Sequence, residues 1–164
     1  MKLKFKHQSF QRDAARAVTD IFVGQRYSDG FAYRYDRGRT DSQQTSFNSD
    51  ITALRNEPIM LDKESLVQNI REIQMNQDLE PITNIVGDGL NFTIEMETGT
   101  GKTYTYIKTI YELNKLYGWT KFIIVVPSIA IREGVVKSLD IMQEHFATEY
   151  NKPMEYFVYD SKNL

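Results

Sequence analysis

Glu95-Met96-Glu97-Thr98-Gly99-Thr100-Gly101-Lys102-Thr103 decides how this chain is read. Gly99 and Gly101 sit where a backbone must bend sharply and come close to a ligand. Successive N–H groups in such a turn converge into an anion-binding nest. The turn feeds a helix N-terminus, whose unpaired donors and dipole favour phosphate. Lys102 is then placed to reach the β- and γ-phosphates, and the Thr103 hydroxyl to ligate Mg²⁺. The flanks agree, with Leu90 to Met96 patterned as a strand and Lys102 to Tyr117 as a helix stopped by Gly118. One position departs from the general phosphate-loop pattern: Met96 stands where Gly or Ala is usual.

Downstream the alternation continues. Lys121 to Val126 is an unbroken apolar run, as expected of a parallel strand buried on both faces. A helix from Ile129 to Phe146 carries Ile131, Val135, Leu139 and Met142 along one face, and Met154 to Tyr159 gives a third strand. Strand, helix, strand, helix, strand implies an α/β fold with a parallel sheet flanked by helices. Upstream, Phe10, Ala14, Ala17, Val18, Ile21 and Phe22 mark a helix over residues 10–23, with Gly24 as its cap. A second helix spans Ser65 to Leu79, with Asp62 near its N-cap and Pro81 ending it. Between them lies a polar insert over residues 26–60. Phe31 to Tyr35 suggests a short strand there, and Asp36 to Asp50 a long loop. Arg34, Arg37 and Arg39 among Phe31, Tyr33 and Tyr35 suit stacking on a nucleic acid. Asp29, Asp36, Asp41 and Asp50 dilute that charge and favour a solvated loop.

The 164 residues fit one domain, and a formal net charge of −2 makes the chain no polycation, so any nucleic-acid contact needs a local patch. The absence of cysteine excludes disulfides and thiolate metal sites and fits a reducing, cytoplasmic setting. No segment approaches the length of a membrane span. His7 and His145 are far apart in sequence, carry no metal-ligand spacing and read as ordinary side chains.

The loop from Met96 to Thr103, followed by Lys121-Phe122-Ile123-Ile124-Val125-Val126-Pro127-Ser128-Ile129-Ala130-Ile131-Arg132-Glu133-Gly134-Val135, resembles the start of the motor of superfamily-two helicases. More narrowly it resembles the restriction (Res) subunit of type III restriction–modification enzymes, where a Met-Glu-Thr opening of the loop is usual. The resemblance is strongest over residues 90–164, takes in Val158 to Asn163, and is present at the N-terminus. It implies that residues 1–164 are the N-terminal part of the first RecA-like lobe, a partial phosphate-loop domain. The intact subunit is then expected to hydrolyse ATP with Mg²⁺, act on double-stranded DNA, cleave with a separate nuclease domain and partner a modification (methyltransferase) subunit.

Residue by residue, the resemblance assigns catalytic roles to Lys102 and Thr103, with Thr103 on the metal. It assigns nucleotide contacts to Glu97, Thr98, Gly99, Thr100, Gly101, Lys102, Thr103 and Tyr104. Phe10-Gln11 with Ala14-Ala15 is similar to the glutamine motif, in which an amide reads adenine through one donor and one acceptor. Gln8 competes for that role, and the aromatic–Gln–x–x–Ala spacing favours Gln11. Pro127-Ser128, with Arg132, resembles the motif that grips the nucleic-acid backbone; Ser128 reads equally as a plain N-cap and Arg132 as an exposed helix residue. Glu97, close to phosphate, is expected to turn away or pair with a cation. No Walker-B acidic pair, second lobe or nuclease carboxylate cluster is found, so the chain is expected to bind nucleotide weakly and not to turn it over alone. Two alternatives remain at this point: another superfamily-two helicase or translocase without a nuclease, and a nucleotide-dependent binding or assembly domain.

Overall fold

The computed structural model describes residues 5–28, 31–34, 52–87 and 89–159. Four helices dominate: α1 (Ser9–Asp20), α2 (Lys63–Met75), α3 (Lys102–Tyr117) and α4 (Ile129–Tyr150). A two-stranded antiparallel hairpin, β1 (Phe31–Arg34) with β2 (Thr52–Arg55), pairs Phe31 with Arg55 and Arg34 with Thr52. Strand β1 falls on the stretch expected to be extended, whereas β2 was not anticipated. The expected loop over 36–50, with Arg37 and Arg39, lies outside the described residues.

Helix α3 is central. Its Leu113 and Tyr117 join Ile21 and Phe22 after α1, Leu66 and Ile70 of α2, and Trp119 in one buried cluster. Its Tyr104, Ile107 and Tyr111 join Leu139, Met142 and Phe146 of α4 in a second. Ile107 and Phe146 are fully buried, so the α3–α4 contact is well packed at its centre. Polar ties fix the other side: the Tyr117 hydroxyl donates to Thr19 O at 2.8 Å, and Asn69 Nδ2 donates to the carbonyls of Ile21 and Val23 at 3.0 Å each.

The sequence signals at the helix ends work as expected. Asp62 accepts from Ser65 N at 2.8 Å, capping α2; the Ser65 side chain first, and its backbone N–H second, hold the Asp62 carboxyl below the usual range. Gly118 closes α3 in the left-handed region (φ 77), and its N–H bonds Asn114 O at 2.9 Å. A side chain at Gly118 would run into the Ser28 backbone, which in turn bonds Tyr117 O. The C-terminal ends of three helices differ from expectation. Helix α1 stops at Asp20, with Ile21 rather than Gly24 as its C-cap, and residues 21–24 turn. Helix α2 stops at Met75, where residues 76–78 turn and Asp78 takes φ 55; α4 continues to Tyr150 before Asn151 turns left-handed.

The larger correction concerns fold class. No parallel sheet forms among the described residues. The stretches 90–96, 121–126 and 154–159 are irregular, and among the described residues the only strand pair is the β1–β2 hairpin. A buried parallel strand needs a hydrogen-bonded neighbour and a covering layer on both faces. Here Phe122 packs on the first core cluster, while Ile123 and Val125 are 91% and 86% exposed and Phe157 is 88% exposed. The apolar run is present, but among the described residues its pairing partners and second covering layer are not. The architecture is a helical layer with a short hairpin, not an α/β sheet.

Candidate functional site

The loop before α3 is built by its glycines. Gly99 and Gly101 take φ 82 and φ 89, the left-handed region in which side chains are strained. Gly101 is the N-cap of α3, and its carbonyl receives Thr105 N at 3.0 Å and the Thr105 hydroxyl at 3.2 Å. The carbonyl of Glu97 receives the Thr100 hydroxyl at 2.7 Å and Lys102 Nζ at 3.2 Å, so the lysine lies back across its own loop. Glu97 thus meets Lys102 through its main chain; its side chain is exposed, as are Thr98 and Lys102, while Thr103 is half-buried.

Gln11, 89 residues away from the loop, donates from Nε2 to Thr100 O at 2.8 Å. Any Cβ at position 101 would lie 2.5 Å from that nitrogen, so the glycine also lets the amide approach. One amide hydrogen is used on the loop; the second and the carbonyl oxygen stay available to another partner. Gln8 is instead the N-cap residue of α1, without a side-chain cap bond, and Phe10 is largely exposed on the first turn of α1.

Beside Gln11 opens a cleft of about 440 Å³, lined by His7, Gln8, Ser9, Gln11, Arg12, Tyr104, Lys108, Glu112 and Glu149. That volume falls within the range of small-ligand sites. Five of these residues, Ser9, Arg12, Lys108, Glu112 and Glu149, were not singled out in the sequence, and His7 was read there as an ordinary side chain. A signal existed: Tyr104, Lys108 and Glu112 recur every four residues, one face of α3.

The wall of the cleft is a polar network. Lys108, with 8% of its side chain exposed, pairs with Glu149 at 2.8 Å and lies 5.5 Å from the Tyr150 ring centroid. The Tyr150 hydroxyl donates to Glu112 at 2.6 Å; burial first, and Glu112 second, push it far above the usual tyrosine range. Behind Tyr104 stands His145, whose Nε2 is 3.0 Å from the Tyr104 hydroxyl and 3.3 Å from Glu149 Oε2. Burial chiefly, with smaller contributions from His7 and Lys108, lowers the imidazole pKa against the opposing pull of Glu149. Burial, and then Glu149, raises that of Tyr104, which therefore stays protonated and a donor near neutrality. The two histidines, unrelated by spacing, approach to 6.2 Å between ring centroids. Among the described residues no group of His, Asp or Glu is arranged to hold a metal ion.

The second candidate region starts α4. Ser128 is its N-cap and accepts from Ile131 N at 3.3 Å, while Arg132 pairs with the adjacent Glu133 at 3.1 Å. Pro127 and Ser128 are exposed. The capping role anticipated for Ser128 is therefore filled, at an open helix N-terminus.

A glycine-built loop thus leads into the N-terminus of α3, with a glutamine from the first helix bonded to it. The chain belongs to the family described as "Type III restriction enzyme, res subunit", whose model matches residues 60–163. It is 39% identical over 118 residues to the EcoPI Res subunit of Escherichia phage P1 and 38% identical over 118 residues to the EcoP15I Res subunit of Escherichia coli. Each match covers 70% of this chain and 12% of the relative. The StyLTI Res subunit of Salmonella typhimurium (strain LT2) is 46% identical over 71 residues, 42% of this chain and 7% of that relative. The chain thus matches only a small fraction of the length of these relatives. No helix among the described residues is long and apolar enough to cross a membrane.

Proposed function

We propose that this chain is the nucleotide-capturing part of a type III restriction subunit. It holds ATP through the loop 97–103 and Mg²⁺ through Thr103, and selects adenine with Gln11. The observation that carries this reading is the Gln11–Thr100 bond of 2.8 Å. It ties the base-reading candidate to the phosphate-binding candidate across 89 residues of sequence. Lys102, held by one bond to a main-chain carbonyl, is free to swing onto β- and γ-phosphates without dismantling the core. Thr103, one residue inside α3, supplies a hydroxyl oxygen for the hard cation.

In this reading the exposed N-terminus of α4, with Ser128 and Arg132, meets the DNA backbone, positioning without reading sequence. The whole subunit hydrolyses ATP, acts on double-stranded DNA in the cytoplasm, and works with a modification subunit that supplies the recognised site. The 164 residues alone bind nucleotide and do not turn it over at a useful rate, because arginine fingers and a Walker-B pair are needed for that step.

The test is calorimetric titration of ATP-Mg into the wild-type chain and Lys102→Ala. Removing a charged partner of phosphate costs roughly 10- to 150-fold in affinity. Melting temperature should stay within about 2 °C, since Lys102 is exposed. Equal affinities for the two proteins would refute the loop assignment.

A further inference from the structure

We propose that His145 is a positioning residue for the cleft beside the phosphate loop: in its neutral form it holds the Tyr104 hydroxyl, and its protonation releases Tyr104 and weakens nucleotide binding. The inference rests on the nucleotide reading above and adds a pH-dependent control of that site.

His145 does not line the cleft; it acts through Tyr104, which does. The imidazole is enclosed on three sides. From α3 come Tyr104 and Lys108, from its own helix Phe146 and Glu149, and from the segment before α1 Phe5 and His7. The charged or titratable groups facing it are thus Tyr104, Lys108, Glu149 and His7. A single nitrogen, Nε2, faces both Tyr104 and Glu149. With the proton on Nδ1, Nε2 accepts the Tyr104 O–H, and Tyr104 is fixed from behind. One proton taken from solvent turns Nε2 into a donor. It then donates to Glu149 Oε2, and the Tyr104 hydroxyl loses its acceptor. The same step divides the Glu149 charge between Lys108 and the imidazolium. Two cleft-lining side chains, Tyr104 and Lys108, are loosened together. Burial keeps the imidazole neutral near pH 7, so the holding state is the working one.

The test uses the full chain. ATP-Mg affinity is measured by calorimetry from about pH 8 to about pH 5.5 for wild type and His145→Gln, whose amide oxygen accepts the Tyr104 hydroxyl without titrating. Titration of the ATP phosphates affects both proteins and cancels in the ratio of dissociation constants. That ratio should move against wild type by at least about threefold between the two ends of the range. Tyr104→Phe keeps the ring but lacks the hydroxyl, and its pH profile should parallel that of His145→Gln; it carries the test if the glutamine variant does not fold. A ratio that stays flat, or moves in favour of wild type at low pH, overturns the proposal while the nucleotide site stands. No saturable binding by wild type at about pH 8 overturns the nucleotide reading, and the proposal with it.

Discussion

Gly101→Ala tests the construction of the loop most sharply. The native backbone there has φ 89 and ψ 41, and the added methyl lies 2.5 Å from Gln11 Nε2. A left-handed conformation costs a non-glycine residue about 1–2 kcal/mol. Displacing Gln11 forfeits its bond to Thr100 O, worth about 1 kcal/mol net. The sum is about 2–3 kcal/mol, or roughly 5–10 °C in melting temperature for a chain of this size. Urea unfolding followed by circular dichroism measures it. Gln11→Ala removes the bond without the backbone strain and should cost only about 1 kcal/mol. Because the alanine methyl already displaces Gln11, the double variant should cost less than the sum of the singles. A Gly101→Ala protein within about 0.5 kcal/mol of wild type, or strict additivity with Gln11→Ala, would refute the described contact between loop and amide.

Other outcomes follow from the same contacts. Phe146→Ala empties a fully buried position between α3 and α4 and should cost about 3–5 kcal/mol in urea unfolding, unfolding a marginal domain outright. Ser128→Ala removes the α4 cap and should lower stability by about 0.5–2 kcal/mol; a parallel loss of DNA affinity at low salt would support the backbone-grip role, and unchanged affinity would leave capping alone. His145 has a folded-state pKa below its unfolded value, so as pH falls below about 6.5 the unfolded chain takes up the proton first. Its contribution to stability is therefore present above that value and lost as pH falls through the folded value. Wild type should destabilise more steeply than His145→Gln in that window, as read from melting temperature against pH.

What could be read in the sequence was what is local. Helix α3 begins at Lys102 and ends at Tyr117 as the glycines at 101 and 118 indicate, since both ends are fixed by one residue's backbone freedom. Asp62 and Ser128 cap their helices by an equally local device, a side-chain oxygen that accepts a backbone N–H three residues on. The resemblance carried by Met96 to Thr103 led to the family that the comparisons establish. The sequence pointed to a parallel sheet that does not form among the described residues: the apolar runs at 121–126 and 154–159 state a preference for burial, but strand pairing depends on a partner strand that no local pattern supplies. Ile123 and Phe157 stand exposed as a result. The cleft was half legible. Gln11 and Tyr104 were named through the family resemblance, whereas His145, 41 residues from Tyr104, meets it because Ile107 and Phe146 dock α3 on α4.

The account turns on where ATP-Mg binds. Amide ¹H–¹⁵N shifts of the labelled chain, recorded during titration with ATP-Mg, locate it directly. The account predicts the largest changes at Gly99 to Thr103, at the Gln11 side-chain amide and at Tyr104, and their loss in Lys102→Ala. Changes centred elsewhere, or saturable changes that persist in Lys102→Ala, would contradict it.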